Sequence, residues 1–433
     1  MGEHNIGEYV NKICQQMRWK KARQRVYDEM TTHITDSRDA YMQQGLDELA
    51  ATEQAITDTG DAEILGASFD RVHRPKAQWG MIGAIVSFLL IGIVVGSLMQ
   101  GTWPNTGRLA FTAVGLIVML AAYFLDYTIL GKQPWIFFAV FVAVMVFVAW
   151  SPNVGRAPGQ ALFLSFPLMF AVCVAALRNM GTKGAVFVGL VYLLLCFLSF
   201  ALLPSAFVVF AVVGIIILLV TIWKDWFGLS SSYKKIATVA VLMPFAMVAS
   251  SSMIFSVFPL TASRRLAASV FPHLDPYVFG FAGMQARRVL SGAVLFGEGA
   301  GSFAGTSFLP DGHSNFFLTS VAHYYGWVPL LAIIGVIVAF VTVGIVRSFK
   351  QKNSLGFLVS LAVILTFAMQ AVAYIAYNFG VTLMTTTLPL ISPGNSSLLV
   401  NMGLLGFMLS VFRTGDIAPR HICPQPDTPR QVQ

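Results

Sequence analysis

The chain has 433 residues, of which 56% are hydrophobic and 11% charged, against about 25% charged in an ordinary soluble domain. It lacks the charge to cover a water-facing surface, so lipid must be its main solvent. The formal net charge of +8 would suit a nucleic-acid binder, but beyond the charge-rich residues 1–76 the basic residues gather in loops between apolar runs, where membrane topology puts them, so no nucleic acid is expected as a partner.

The N-terminus, Met1-Gly2-Glu3-His4-Asn5, is polar and is expected to be no signal peptide. Ile6, Val10, Ile13 and Met17 keep helical spacing, as do Val26, Met30 and Ile34. Gly45 breaks the pattern. A third helix is expected from Leu46 to Thr57, with Leu49, Ala50 and Ile56 apolar, and Asp58-Thr59-Gly60-Asp61 stops it. A short fourth helix from Ala62 to about Val72 and the segment His73-Arg74-Pro75-Lys76 close a small cytosolic helical domain, 1–76, with no evident active site. The order Arg25…Tyr27-Asp28-Glu29…His33-Ile34…Gly45…Ala55-Ile56…Gly60-Asp61 resembles the prefix domain found ahead of some bacterial permeases. That resemblance implies a regulatory or docking module.

From Gly80 the apolar runs begin, and a span needs about 20 such residues. The spacing predicts about ten transmembrane helices: Gly80–Met99, Leu109–Leu130, Trp135–Trp150, Ala161–Leu177, Gly184–Ala201, Ser205–Trp223, Ile236–Leu260, Phe316–Val346, Leu355–Phe379 and Ser396–Phe412. The expected fold class is therefore an all-α polytopic membrane protein with an appended N-terminal helical domain.

With the N-terminus in the cytoplasm, the inside loops carry Arg71, Arg74, Lys76, Lys132, Arg178, Lys183, Lys224, Lys234, Lys235, Arg347, Lys350, Lys352 and Arg413. The outside loops carry Arg108, Arg156 and the arginines of one long loop. This bias places both termini, including the tail 414–433, in the cytoplasm. The long outer loop, 261–315, holds most of the outer polar groups: Arg264, Arg265, Asp275, Arg287, Arg288, Glu298, Asp311 and His313. A loop of that length is usually functional.

Several motifs carry no chemistry. Gly297-Glu298-Gly299-Ala300-Gly301 lacks the βαβ setting of a phosphate loop, and Ser231-Ser232-Tyr233-Lys234 is an isolated match to a penicillin-binding motif. Asn395-Ser396-Ser397 is a weak match to a glycosylation acceptor. Asp126, the carboxylate inside a predicted span, lies close enough to the cytoplasmic end to snorkel toward the interface. The cysteines have neither framework nor metal-knuckle spacing, and no metal or cofactor is implied. The loop arginines suit bidentate recognition of a lipid diphosphate headgroup, or form a solvated amphipathic face.

The stretch Arg265-Leu266…Phe271-Pro272…Asp275-Pro276…Gln285…Gly297-Glu298-Gly299…Leu309-Pro310-Asp311-Gly312-His313-Ser314-Asn315-Phe316 resembles the large extracellular loop of the SEDS family (the FtsW/RodA/SpoVE proteins). So does Leu388-Pro389-Leu390-Ile391-Ser392-Pro393-Gly394-Asn395-Ser396-Ser397, close to the family's L-P-x-I-S-Y-G-G-S-S. The resemblance covers 80–413. It implies a bacterial plasma-membrane protein of cell-wall synthesis in shape, division or sporulation. Such proteins polymerise a lipid-linked disaccharide carried on undecaprenyl diphosphate, beside a class B penicillin-binding transpeptidase. Arg264, Arg265, Arg287 and Arg288, with Gln285, are then the candidate substrate-binding residues.

The family's P-x-x-x-x-D-F-x-F supplies an Asp whose carboxylate can act as general base on the acceptor sugar hydroxyl. Here Asn315 stands at that position, and an amide cannot accept the proton. The family's A-E-E-x-G is Ala322-His323-Tyr324-Tyr325-Gly326, with both acids absent. Its Q-P-S-E aligns with Phe166-Pro167-Leu168-Met169. Asp311, His313 and Glu298 are the candidate substitute bases. The expectation is a glycosyltransferase-like chain with weak or absent turnover. The alternatives are a lipid or small-molecule permease, which the near-absence of intramembrane ionisable residues disfavours, and a non-catalytic membrane sensor or scaffold.

Overall fold

The computed structural model describes residues 2–73, 78–100, 106–150, 161–202, 204–234, 236–238, 264, 267–299, 315–383, 386–392 and 394–414. The chain divides into two compact units, Met1–Ala77 with Arg413–Gln433, and Gln78–Phe412.

The first unit is built on helices α1 (Gly2–Gln16), α2 (Lys20–Gln43), α3 (Glu48–Thr59) and α4 (Ala62–His73). The periodic residues Ile6, Val10, Ile13 and Met17 of α1 meet Val26, Met30 and Ile34 of α2 in one buried core. On α3 the buried residues are Ala51, Thr52 and Ala55, whereas Leu49 is exposed. The small side chains let α3 approach α2 closely, and the leucine faces outward. Gly45 and Gly60 adopt left-handed φ of 97° and 100°, the conformation that ends a helix and that glycine reaches without strain. Asp61 then starts α4, its Oδ1 accepting from Glu63 N at 2.7 Å and Ile64 N at 3.1 Å, an N-cap. Tyr41 donates to Asp58, tying α2 to α3. Burial pushes the Cys14 thiol up from its ordinary pKa.

The regular secondary structure of the second unit, among the described residues, is all helical. It contains α5 (Trp79–Gln100), α6 (Thr106–Phe124), α7 (Thr128–Lys132), α8 (Pro134–Trp150), α9 (Phe166–Leu177), α10 (Gly181–Leu202), α11 (Pro204–Trp223), α12 (Phe281–Ser291), α13 (Phe317–Tyr325), α14 (Trp327–Phe349), α15 (Ser354–Asn378) and α16 (Asn395–Thr414). Among the described residues, six helical stretches are long and apolar enough to cross a membrane, and Pro134–Phe147 and Phe207–Trp223 are shorter apolar helices. The stretch 161–199 is divided by a 3-10 turn, Arg178–Met180, and by Gly181 at φ 58°. The expected span 236–260 lies outside the described residues beyond Thr238.

Two expected spans are broken. The second ends at Phe124, and Asp126 stands in the break, where its Oδ1 accepts from Thr128 N at 3.1 Å and starts α7. It sits in the turn ahead of α7 and is not a carboxylate inside a helix. The eighth divides at Gly326, φ 95°, into α13 and α14. Apolar composition continues across both breaks, so hydropathy alone runs the pieces together.

α15 is the central element, buried on most of its faces and packed against α9, α11 and α14. Phe166, Phe170, Tyr192 and Phe210 form an aromatic core among α9, α10 and α11, with edge contacts at 5.7 Å (Phe166–Phe210) and 5.9 Å (Phe170–Phe210). α6 and α16 close on small residues. A Cβ at Gly406 would lie 2.5 Å from the Met119 carbonyl oxygen, so only glycine permits this approach. At one end of the body Lys224 sits 3.7 Å above the Phe357 ring, with Trp226 and Phe349 alongside, a cation–π contact. Tyr127 packs near Gly356 at this same end, which therefore collects the basic loop residues 127–132, 224–234 and 347–356. The opposite, loop end carries 267–299, 315–326, 379–383 and 386–392.

A capped helix head at the loop end

Asn315 lies at the head of α13, followed by buried Phe316 and Phe317. The first backbone N–H groups of a helix have no intrahelical acceptor, and here α15 supplies them. Tyr374 Oη accepts from Phe317 N at 3.1 Å, and Asn378 Oδ1 accepts from Thr319 N at 3.0 Å. Thr319 Oγ1 donates to the Asn378 carbonyl at 2.9 Å, and Asn378 Nδ2 donates to the Asn315 carbonyl at 3.1 Å and the Tyr374 carbonyl at 3.0 Å. Phe316 stacks on Tyr377 at 4.8 Å, and this pair packs against Ala282, Ala286 and Val289 of the loop helix α12. Every amide atom of the buried Asn378 is used, as a buried polar group requires.

At the other end of α13, Gly299 N donates to the His323 carbonyl at 2.8 Å and Gly297 N to the Tyr325 carbonyl at 3.1 Å. This pairing places Glu298 beside the buried His323, which feels its charge. Glu298 itself is exposed. The pairing thus sets Glu298 against the far end of α13 from Asn315. Asp311 and His313 lie outside the described residues, so Glu298 is the one candidate substitute base that can be placed.

The arginines are distributed. Arg287 extends over Gly380, its Nη2 donating to the carbonyls of Val270 at 3.3 Å and Gly380 at 3.4 Å. A Cβ on Gly380 would come 2.8 Å from the Arg287 Cγ. Arg288 and Arg264 are exposed, Gln285 is half-buried, and Arg265 lies outside the described residues.

Two features escaped the sequence reading. Arg108 of α6 donates to the Ile391 carbonyl at 2.7 Å, and Gly92 and Gly96 of α5 make room for its guanidinium, with hypothetical Cβ atoms 2.8 and 3.0 Å from its nitrogens. The motif loop that receives it holds Leu390 at φ 67°, a strained backbone in a side-chain-bearing residue. Deeper in the body, Gln370 of α15 and Asn401 of α16 exchange two amide hydrogen bonds at 3.0 and 3.1 Å. Polar residues inside apolar runs were the available signal for this pair, while nothing local marks the partner of Arg108.

The fold and this loop end define a polytopic helical membrane protein whose loop-end motifs are fastened to the transmembrane helices by side-chain to backbone bonds. No family model matches the sequence. The probable peptidoglycan glycosyltransferase FtsW of Trichlorobacter lovleyi is 23% identical over 391 residues, which is 82% of this chain and 98% of that protein. The corresponding protein of a Thioalkalivibrio species is 31% identical over 169 residues, 37% of this chain and 42% of its own. Among solved structures, a chain of a peptidoglycan synthase complex, solved to show the structural coordination of polymerization and crosslinking, superposes with a TM-score of 0.59 at 19% identity, covering 78% of this chain and 98% of that one. The rod shape determining protein RodA of Thermus thermophilus superposes with a TM-score of 0.52 at 16% identity, covering 78% and 97%. Over most of its length the chain is similar to multi-pass membrane proteins of the FtsW/RodA kind, and it shares their fold.

Proposed function

We propose that this chain is a SEDS protein of bacterial cell-wall synthesis that holds the lipid-linked peptidoglycan precursor at its loop end and turns it over weakly or not at all. The observation that carries this reading is Asn315: the head of α13 is tightly built, and an amide stands where the family's motif has its carboxylate. The scaffold is retained while the proton acceptor is absent. Loop-end arginines supply the charge-assisted contacts for the diphosphate.

A class B transpeptidase is the partner this reading names, supported by the synthase-complex neighbour. Both termini are cytoplasmic, supported by the basic end of the body, and residues 1–76 act there as a regulatory or docking domain. Reporter fusions after Arg413 and at Asp275 test the orientation; an external signal from the first would reverse it. The test of function is binding and polymerisation of radiolabelled lipid-linked disaccharide by the purified protein. Binding without glycan product is expected, and a chain that neither binds nor polymerises would return the permease or sensor to first place.

A further inference from the structure

The segment Val294-Leu295-Phe296 carries three large apolar side chains in the open, at 40%, 70% and 71% exposure. Two of its backbone carbonyls are engaged. Val294 O accepts from Trp327 N at 2.9 Å, and Leu295 O accepts from Val328 N at 3.2 Å. Those N–H groups belong to the first turn of α14, where a transmembrane helix leaves its donors without intrahelical acceptors. In lipid such donors must be met by protein. The segment is therefore the cap of a span, and the cap fixes its depth.

That depth is the membrane boundary. Trp327 opens α14, and tryptophan favours the headgroup level. Immediately below it on the same helix, Val328 and Leu331 are 40% and 56% exposed, as lipid-facing residues of a span are. Gly326 is fixed against the segment, since a Cβ there would lie 2.4 Å from Leu295 O. The exposed apolar surface of the cap thus continues the lipid-facing surface of the helix beneath. Two residues past Phe296 the chain turns polar at exposed Glu298, so the apolar surface stops where water begins.

We propose that Leu295 and Phe296 insert into the bilayer leaflet at the loop end and moor the Gly-rich turn to the membrane. The occupant of this surface is lipid, and the inference rests on α14 being a span and not on any glycan chemistry. Through the bonds from Gly297 and Gly299 to α13, the mooring also fixes the height of the capped helix above the membrane.

The test uses the full-length protein in nanodiscs of phosphatidylethanolamine and phosphatidylglycerol, with nitroxide labels at Phe296→Cys and, separately, Leu295→Cys. The signal of identically treated wild-type protein, which has four native cysteines, is subtracted. Accessibility to oxygen, which partitions into lipid, is compared with accessibility to a water-soluble nickel chelate. Leu331→Cys gives the lipid reference and Glu298→Cys the water reference. The expected result is that both labels shift to the oxygen-favoured side, nearer the Leu331 reference. Labels nearer the Glu298 reference would overturn the proposal. If one variant does not fold, the other decides.

Discussion

Asn378, at the last turn of α15, reaches the main-chain carbonyl of Asn315 with its side-chain amide at 3.1 Å, so the head of α13 is held by its backbone from another helix. The same amide accepts from Thr319 N. Replacing Asn378 by Leu removes an N-cap and strands buried donors, at about 1–3 kcal/mol for an unsatisfied buried group. Thermal unfolding in detergent should show a clear loss. A midpoint equal to wild type would mean that the network contributes nothing.

Wild-type protein should give little or no glycan polymer, because loss of a general base costs roughly 10²–10⁴-fold in rate. Asn315→Asp should recover only part of this, since Met169, His323 and Tyr324 still stand where the resemblance expects other groups. Robust polymerisation by the unmodified chain would turn attention to Glu298, Asp311 and His313, tested one alanine at a time.

Combined replacement of Arg264, Arg265, Arg287 and Arg288 by Gln should weaken binding of a polyprenyl diphosphate lipid, which charge-assisted bonds would dominate. Arg287 already spends hydrogen bonds on Val270 and Gly380. Its single replacement should therefore alter loop stability as well, while Arg288→Gln should act on binding alone. Unchanged affinity in the fourfold variant would leave these arginines as a solvated face.

Gln370→Leu should destabilise the body by leaving the Asn401 amide without its partner, at about 1–3 kcal/mol. The double variant with Asn401→Leu should recover much of the loss, because two apolar residues of similar size need no partners. Equal losses in the single and double variants would contradict the coupling.

A fragment of residues 1–77 should be helical by circular dichroism, since its core of Ile6, Val10, Ile13, Val26, Met30 and Ile34 is internal to it. Burial raises the Cys14 pKa, so at neutral pH the folded fragment should hold less thiolate than a free cysteine does. Cys14 should then react slowly with a thiol reagent until denaturant is added. Fast reaction in buffer, or a coil spectrum, would show that the fragment does not fold alone.

The periodic core of α1 and α2, the stops at Gly45 and Gly60 and most of the apolar spans were legible because each depends on local pattern. The breaks at Asp126 and Gly326 were not, because hydropathy does not fall there; an aspartate turn and a left-handed glycine do the breaking. The position of Asn315 could be read from its motif. The side chains that hold the head of α13, Tyr374 and Asn378, lie 57 or more residues from their partners in an apolar run, and only the fold brings them together. Likewise Arg108 read as one loop charge among several, because its acceptor is 283 residues distant.

The bond from Arg108 to Ile391 has a companion at the opposite end of the body, where Ser410 Oγ donates to the Leu125 carbonyl at 2.7 Å across 285 residues. Together they stitch the two ends of the second membrane helix to the last helix and to the loop that leads into it. During synthesis this seam has no second edge until the final helix has emerged and inserted. Every earlier intermediate must carry the Arg108 guanidinium and the glycine troughs of α5 and α6 open along one side. A chain cut before Leu388 would stay in that state permanently, offering membrane quality control an unclosed bundle rather than a shortened protein.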